Sequence, residues 1–413
     1  MKILLLDVHY GHSSTGRLMV NLKKYFEGEG HEVLACYGRS SGERLPGAIK
    51  VSSELEFYTH GILSRLSGLN GIFSPVATLK LTKIIDEFRP DVVHLHELHG
   101  FYINTSSVMD FLKRKKIPTV WTFHCEIMYT GNCGYALECN NWLDSCGNCP
   151  ELYRYPKTWF FDFTKNMFNK KKLDFKDFHR LKIVAVSEWL AERVERSFLG
   201  TREIEVVHNG IDTLNAFSPK DTSELALSLG ITTKHVIVSI APDIMSENKG
   251  GKWVLEVAKR LLDQSITFVL VGVKEKLQND QPNIIFLPAT TNLNLLTQYY
   301  SLGDFFLLPS KQETFSLACA ESLACGTPII GFECGAPTKI IPPGYGRFVR
   351  YGDITALAEL VESSLHSELD FVSSKKCVDY ANAHFSSDVM GENYLNVFET
   401  LIRKVDEDLY LED

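Results

Sequence analysis

The sequence predicts an α/β protein of two Rossmann-like domains, each a parallel sheet with helices on both faces. Two series of short apolar runs carry that prediction. The first lies at Ile3 to Leu6, Val33 to Cys36, Val92 to Leu95, Val120 to Phe123 and Ile183 to Val186. The second lies at Val236 to Ile240, Thr267 to Val271, Ile284 to Leu287, Phe305 to Leu308 and Pro328 to Phe332. Segments of helical period separate the runs, the alternation expected of βαβ units. The runs are mostly apolar instead of strictly alternating, as in strands covered on both faces. A chain of 413 residues is long enough for two or three domains, each with its own core. The expected division is 1–198, 199–386 and a last amphipathic segment, 387–413, with Met390, Tyr394, Val397, Phe398 and Leu401 at helical spacing. In open α/β sheets ligands gather at the carboxyl ends of strands, so a cleft between the two domains is the expected site.

Composition narrows the class. A chain 45% hydrophobic and 23% charged is that of a globular protein, and a net charge of -8 argues against nucleic acid as a partner. The opening run, Ile3 to Leu6, is too short for a signal peptide, and no stretch approaches the ~18 apolar residues of a membrane span. A cytoplasmic protein is therefore expected. Its ten cysteines are then thiols or metal ligands, not disulfides.

The turn after the first strand is Gly11-His12-Ser13-Ser14-Thr15-Gly16-Arg17. It lacks the G-x-G-x-x-G pattern of dinucleotide binders, although its glycines and hydroxyls still allow backbone N–H groups to approach a phosphate or sugar. A plain tight turn is the alternative. Val92-Val93-His94-Leu95-His96 puts two histidines on one side of a strand. The following strand ends in Thr122-Phe123-His124, with Cys125 and Glu126 next.

An insert at 125–178 then contains Cys133, Cys139, Cys146 and Cys149, spaced C-x5-C-x6-C-x2-C. Four thiols ending in a Cys-x-x-Cys knuckle suit a tetrahedral zinc site, which would be structural. An iron–sulfur cluster would use the same ligands, and four reduced, partly buried thiols are the plain alternative. The aromatic run Tyr153 to Phe163, interleaved with lysines down to Lys172, suits an anionic membrane surface or a helix packing its aromatic side inward. Ser187 is placed to cap a helix, and His208-Asn209-Gly210-Ile211-Asp212 reads as a turn.

In the second domain Lys249-Gly250 stands just ahead of a helix start, where a cation neutralises pyrophosphate charge. The stretch from Pro309 to Phe332 reads as strand end, turn, helix, turn and strand, the helix starting at about Phe315 and ending at Gly326. First-turn N–H groups around Thr314, Phe315 and Ser316 suit an anion. Glu313 precedes the helix and Glu321 lies inside it, so two carboxylates flank the anion position. A ligand with hydroxyls at both ends of a pyrophosphate, a nucleotide sugar, fits that arrangement. The alternative is two acids that merely face water.

Glu313-x7-Glu321 with Gly326-Thr327-Pro328 after it resembles the signature of retaining glycosyltransferases of GT-B architecture, family 4 or group 1 type. The Asn-Gly-Ile-Asp turn, Lys249-Gly250 and the Cys-rich insert extend that resemblance, which is closest to the colanic acid and exopolysaccharide subgroup. It implies a cytoplasmic bacterial enzyme moving a hexose from a UDP- or GDP-linked donor to a glycan or lipid-linked oligosaccharide, at the inner face of the membrane and without a catalytic cofactor. By the same resemblance Glu313 holds hydroxyls of the transferred sugar, Glu321 the ribose hydroxyls, His124 the sugar near the reacting centre, and the loop of Gly16 borders the pyrophosphate. This chain departs from the pattern in three places: Cys125 stands where Asp is usual, no Arg precedes Lys249, and Lys339 replaces a Glu. Those departures motivate a second reading, a catalytically silent subunit that binds nucleotide sugar or glycan.

Overall fold

The computed structural model describes residues 1–39, 46–262, 265–274, 281–366 and 369–412. They form two compact units, Met1–Asn209 together with Met390–Asp413, and Gly210–Val389.

The first unit runs β1 (Lys2–His9), α1 (Ser13–Gly28), β2 (Glu32–Arg39), β3 (Ala48–Lys50), α2 (Glu54–Ser67), α3 (Pro75–Phe88) and β4 (Val92–Leu95). It continues with α4 (Thr105–Arg114), β5 (Thr119–Phe123), α5 (Thr164–Phe175), β6 (Leu181–Ala185), α6 (Glu188–Glu195) and β7 (Ile204–Val206). Its sheet has the order β3-β2-β1-β4-β5-β6-β7, all parallel. The five apolar runs of the first series are its inner strands, and Ile3 to Leu6 are wholly buried. β3 and β7 carry no apolar run because they are half-exposed edges, AIK and IEV. Because β7 pairs with β6, the residues just after 198 stay with the first unit. Ser187 caps α6 as its position implied, its hydroxyl accepting from Leu190 N at 3.2 Å.

The second unit runs α7 (Ser223–Ser228), β8 (His235–Ile240), α8 (Gly251–Arg260), β9 (Ile266–Val271), β10 (Ile284–Leu287), α9 (Leu293–Leu302) and β11 (Phe305–Leu308). It ends with α10 (Leu317–Ala324), β12 (Ile329–Phe332), α11 (Pro337–Ile340), β13 (Gly346–Val349), α12 (Ile354–Leu365) and α13 (Ser374–Phe385). The parallel order is β10-β9-β8-β11-β12-β13. Its core is apolar and close-packed, with Phe268, Leu270, Ile330 and Phe332 of the sheet against Val257 and Val361 of the helices.

A last helix, α14 (Ser387–Glu412), returns to the first unit from Met390 onward. There the Tyr394 hydroxyl meets Thr122 Oγ1 at 2.9 Å and the Phe398 ring packs tilted against Phe26 at 5.5 Å. In both sheets the first strand lies between the second and the fourth strand of its own unit in chain order, β1 between β2 and β4, β8 between β9 and β11. The strand order reverses there, which is where the loops at the carboxyl ends part and leave room for a ligand.

Candidate functional site

In the second unit the loops leaving β8 and β11 are clasped together. Lys311 N donates to Asn248 O at 2.7 Å, and Asn248 Nδ2 to Gln312 O at 3.2 Å. Gly250 has φ 69° and lies so near the second loop that a Cβ would stand 2.2 Å from the Pro309 carbonyl oxygen, so no other residue fits without moving the backbone. The clasp brings Lys249 Nζ to 2.6 Å from Glu313 Oε1. A third loop is tied on through the Glu313 backbone, whose N–H donates to Cys334 O at 2.6 Å and whose carbonyl accepts from Ala336 N at 3.0 Å. Burial alone would lower the Lys249 ammonium, but the charge and hydrogen bond of Glu313 outweigh it and hold the pKa above the ordinary lysine value.

α10 begins at Leu317, two residues later than the apolar spacing suggests. Ser316 at its amino end is left-handed, with φ 78°, so the helix cannot extend back through it. The Phe315 ring is core, 2% exposed and edge-on to Phe385 at 5.6 Å. The ring is therefore closed to a ligand. No side chain caps α10; Cys319 N donates to Ser316 O at 3.2 Å, and the N–H groups of Leu317 and Ala318 ahead of it suit an anion. Glu321 is 4% exposed and its Oε2 accepts from the Tyr300 hydroxyl at 2.7 Å. It does not face water. Lys249, Glu313, Thr314, Phe315, Ser316 and Glu321 thus gather at one switch point, and Lys339 stands exposed on α11.

Gly16 and His124 belong to the first unit instead. Gly16 lies in the first turn of α1, its carbonyl accepting from Gly11 N at 2.9 Å and its own N–H reaching Ser13 Oγ at 3.3 Å. A Cβ there would lie 3.1 Å from the Cβ of His9, so its smallness serves the packing of α1 on β1. His94 and His96 share one side of β4, with ring centroids 4.1 Å apart, as alternation requires. Both are buried: His94 Nε2 meets Thr122 Oγ1 at 2.8 Å, and His96 Nδ1 meets His124 Nε2 at 3.0 Å. Burial pushes His124 down to about 4, so its ring is neutral at pH 7.

Beside His124 stands a group the sequence reading passed over. His99 Nε2 lies 2.7 Å from Glu97 Oε2. Burial would raise Glu97 and lower His99, but each charge offsets the other's desolvation, and both shift toward the ionised pair. Glu97 N donates to Asp7 Oδ1 at 3.3 Å, while Asp7 Oδ2 is buried without a partner. Burial foremost, and then the Glu97 charge, push Asp7 up to about 7. The signal was an acid closing each of two buried runs, Leu6-Asp7 and His96-Glu97. Glu126, by contrast, is a strut: its carboxylate accepts from Arg193 Nε at 2.6 Å, Tyr129 Oη at 2.7 Å and Ala136 N at 2.6 Å.

Cys133, Cys139, Cys146 and Cys149 line one small space of about 10 Å³, and Gly131 N donates to Cys146 Sγ at 3.1 Å. Burial first, then the Glu126 charge for Cys133 and the Asp162 charge for Cys149, and after these the neighbouring thiols, push Cys133 up to about 12 and Cys149 up to about 11, a gathering of negative groups that a cation would turn into attraction. Among the described residues, the one set of three ligand types with donor atoms all within 4.8 Å is Glu97, His99 and Cys125. The knuckle thiols converge but are not closed to that distance. The aromatics ahead of α5 are outside any helix and exposed: Tyr153 71%, Trp159 42%, Phe160 68% and Phe161 54%. Of α5 itself, Thr164, Met167, Phe168 and Phe175 are buried.

Residues 15–214 match the family model Glycosyltransferase Family 4, and residues 234–367 match Glycosyl transferases group 1. The chain is 23% identical over 319 residues to WcaC of Escherichia coli (strain K12), named for glycosyl transfer in colanic acid biosynthesis, covering 76% of this chain and 77% of that one. It is 22% identical over 350 residues to an uncharacterized protein of the cps region of Klebsiella pneumoniae, covering 81% and 84%. Among solved structures it resembles sucrose-phosphate synthase from Thermosynechococcus elongatus, with TM-score 0.71, 15% identity and coverage of 98% and 99%. It also resembles Anabaena Alr3699/HepE in complex with UDP, with TM-score 0.65, 16% identity and coverage of 97% and 100%.

Proposed function

The chain belongs to the glycosyltransferases of family 4, group 1 type, with the two parallel-sheet units of the GT-B architecture, and from that premise we propose that it is a retaining hexosyltransferase of surface polysaccharide synthesis. The donor is a UDP- or GDP-linked sugar, and the acceptor a glycan or lipid-linked oligosaccharide. One observation carries the reading: Lys249 and Glu313, paired at 2.6 Å, stand at a switch point beside the uncapped amino end of α10, with Glu321 buried one turn along. A diphosphate seated there meets the ammonium and the helix dipole. Glu313 then accepts from sugar hydroxyls and Glu321 from ribose hydroxyls. A related fold with UDP bound supports the choice of ligand class.

In the step itself charge grows on the leaving diphosphate. Lys249 and the α10 N–H groups stabilise it, and the diphosphate takes the acceptor's proton on the face it leaves, which retains configuration without a protein nucleophile. Since Lys249 meets the charge, no metal need enter the step. Neutral His124 serves as a hydrogen-bonding group toward the sugar. The knuckle thiols are assigned to a structural zinc ion, and the exposed aromatic segment to peripheral contact with a membrane. No helix among the described residues is long and apolar enough to cross one.

The test is to incubate purified protein with a panel of nucleotide sugars and follow release of nucleoside diphosphate. One donor should stabilise the protein and be turned over, and the Glu313→Ala variant should lose turnover by at least about a hundredfold. A panel that yields neither binding nor release overturns the reading.

A further inference from the structure

A second cavity, of about 400 Å³, lies wholly in the first unit between β5 and the helices α4 and α5. Its floor is buried and apolar: Met109, Trp121, Ile127, Met128, Met167 and Phe175. Trp121 and Phe175 stack at 5.4 Å to make one wall, and three methionines supply adaptable ones. Its mouth is formed by the loop of Asn70 and Ile72 after α2, Ser107 of α4, and Asn166 and Lys170 of α5, all partly or fully exposed. Interiors seldom leave voids larger than a water, and this one has the size of a ligand pocket. Two of its lining atoms, Asn70 Oδ1 and His99 Nδ1, are buried without partners. His99 is also the residue paired with Glu97, next to His124, so the cavity ends against the polar group at the carboxyl ends of β4 and β5.

The surface beside the mouth is apolar as well. Along α2, Leu55, Tyr58, Ile62 and Leu66 are exposed at 78%, 60%, 50% and 39% and recur at helical spacing, so they form one stripe. The aromatic segment is bolted to the end of that stripe: Trp159 N donates to Arg65 O at 2.8 Å, and the Phe161 backbone lies against Gly68. Leu69, the next residue, is already in the cavity wall.

We propose that this cavity receives the hydrocarbon chain of a lipid-linked acceptor, entering from the apolar surface of α2 and residues 159–161. The proposal rests on the glycosyltransferase reading and narrows its acceptor from glycan or lipid-linked oligosaccharide to the lipid-linked class. The apolar floor takes the chain, and Asn70 and His99 meet the polar group where chain and sugar join. A water-soluble glycan acceptor would have no use for such walls.

The test titrates the full chain with n-alkyl β-glucosides of increasing length, each below its micelle concentration, by calorimetry. Affinity should rise about fourfold per added methylene and level off once the cavity is full. Asn166→Trp and Ile72→Trp, at exposed and half-exposed mouth positions, should each weaken the longest probes by about tenfold and bring the levelling to a shorter chain, with an unchanged melting temperature. Affinity that climbs without levelling, absence of binding, or indifference to both variants overturns the proposal. UDP and GDP are titrated into the same samples. If neither binds while the alkyl series behaves as stated, the donor reading fails and the cavity assignment stands; the opposite result fails only the cavity.

Discussion

Lys249 Nζ and Glu313 Oε1 stand 2.6 Å apart although 64 residues separate them in the chain. Without donor, the cation proposed for the diphosphate is held by the carboxylate proposed for the sugar. Glu313→Gln releases Lys249 and removes a negative charge facing the phosphates. Binding of the bare nucleoside diphosphate should therefore tighten, by about tenfold, while sugar transfer falls at least about a hundredfold. Calorimetry with UDP or GDP and a turnover assay measure the two. Lys249 keeps 30% of its side chain exposed, so solvent screens the orphaned charge and the melting temperature should fall by only a few degrees. Equal weakening of diphosphate and transfer would contradict the assignment.

Glu321 Oε2 is occupied by the Tyr300 hydroxyl at 2.7 Å, which fixes the rotamer. Replacing the acid with Gln keeps shape but weakens a charge-assisted acceptor. Nucleotide affinity should drop about tenfold to a hundredfold, the scale of one hydrogen bond to a charged group, with little change in stability. A 2′-deoxynucleotide should lose that much on wild type and almost nothing on Glu321→Gln. Calorimetry on the two proteins closes the cycle.

Burial pushes His94 down to about 3, and His60 and His124 to about 4, from an ordinary value of 6.5. The folded state keeps them neutral while the unfolded chain takes up protons below pH 6.5, so stability falls as pH drops from 6.5 toward 4. Asp7, pushed up to about 7 from 3.8, acts in the opposite sense over that range, because its folded form holds the proton more tightly. His96 is driven far down in the same way, by burial first and then by its neighbouring rings, so four histidines against one acid leave a net uptake on unfolding of about three protons near pH 5. Unfolding free energy should then fall by about 4 kcal/mol per pH unit. His94→Asn keeps a partner for Thr122 and should lessen that slope by about one proton. Urea titrations at several pH values measure both, and an unchanged slope would refute the burial argument for His94.

The inner strands were legible because a strand covered on both faces must be apolar along its whole length. β3, β7 and β13 were not, since edges mix exposed and polar residues: Lys50, Glu205 and Arg347 interrupt them. The donor residues could be found locally, through Glu313, Glu321 and Lys249. Their pairing depends on β8 lying beside β11, a contact across the chain that no window contains. The same reason hid Asp7 and Glu97, which meet only because β1 pairs with β4. The start of α10 was misplaced because the left-handed Ser316 leaves no mark on apolar spacing.

Four thiols line one space, and burial holds Cys133, Cys146 and Cys149 toward the neutral form, so a zinc ion bound there as proposed would make the knuckle depend on it. Purified protein should contain about one zinc per chain. Stripping it with a chelator should lower the melting temperature and make Cys133, Cys139, Cys146 and Cys149 react with a thiol reagent ahead of the buried Cys36 and Cys377. Elemental analysis without stoichiometric metal, or unchanged melting after chelation, rules the site out.

Phe160, Phe161 and Trp159 stand out of the surface next to the α2 stripe, with Lys157 and Lys165 exposed around them. A helix packing its aromatics inward would have hidden those rings, which fits the peripheral lipid contact proposed for them. Apolar side chains at the acyl boundary and lysines at the headgroups add to one another. The protein should therefore sediment with vesicles containing anionic lipid, less so with neutral ones, and bind more weakly as salt rises. Changing Phe160 and Phe161 together to Ser removes the apolar part at positions already solvated. Vesicle binding should drop about tenfold or more, while melting temperature and nucleoside diphosphate affinity stay as they were. Binding that survives the double change at the same salt concentration would assign attachment to some other part of the chain.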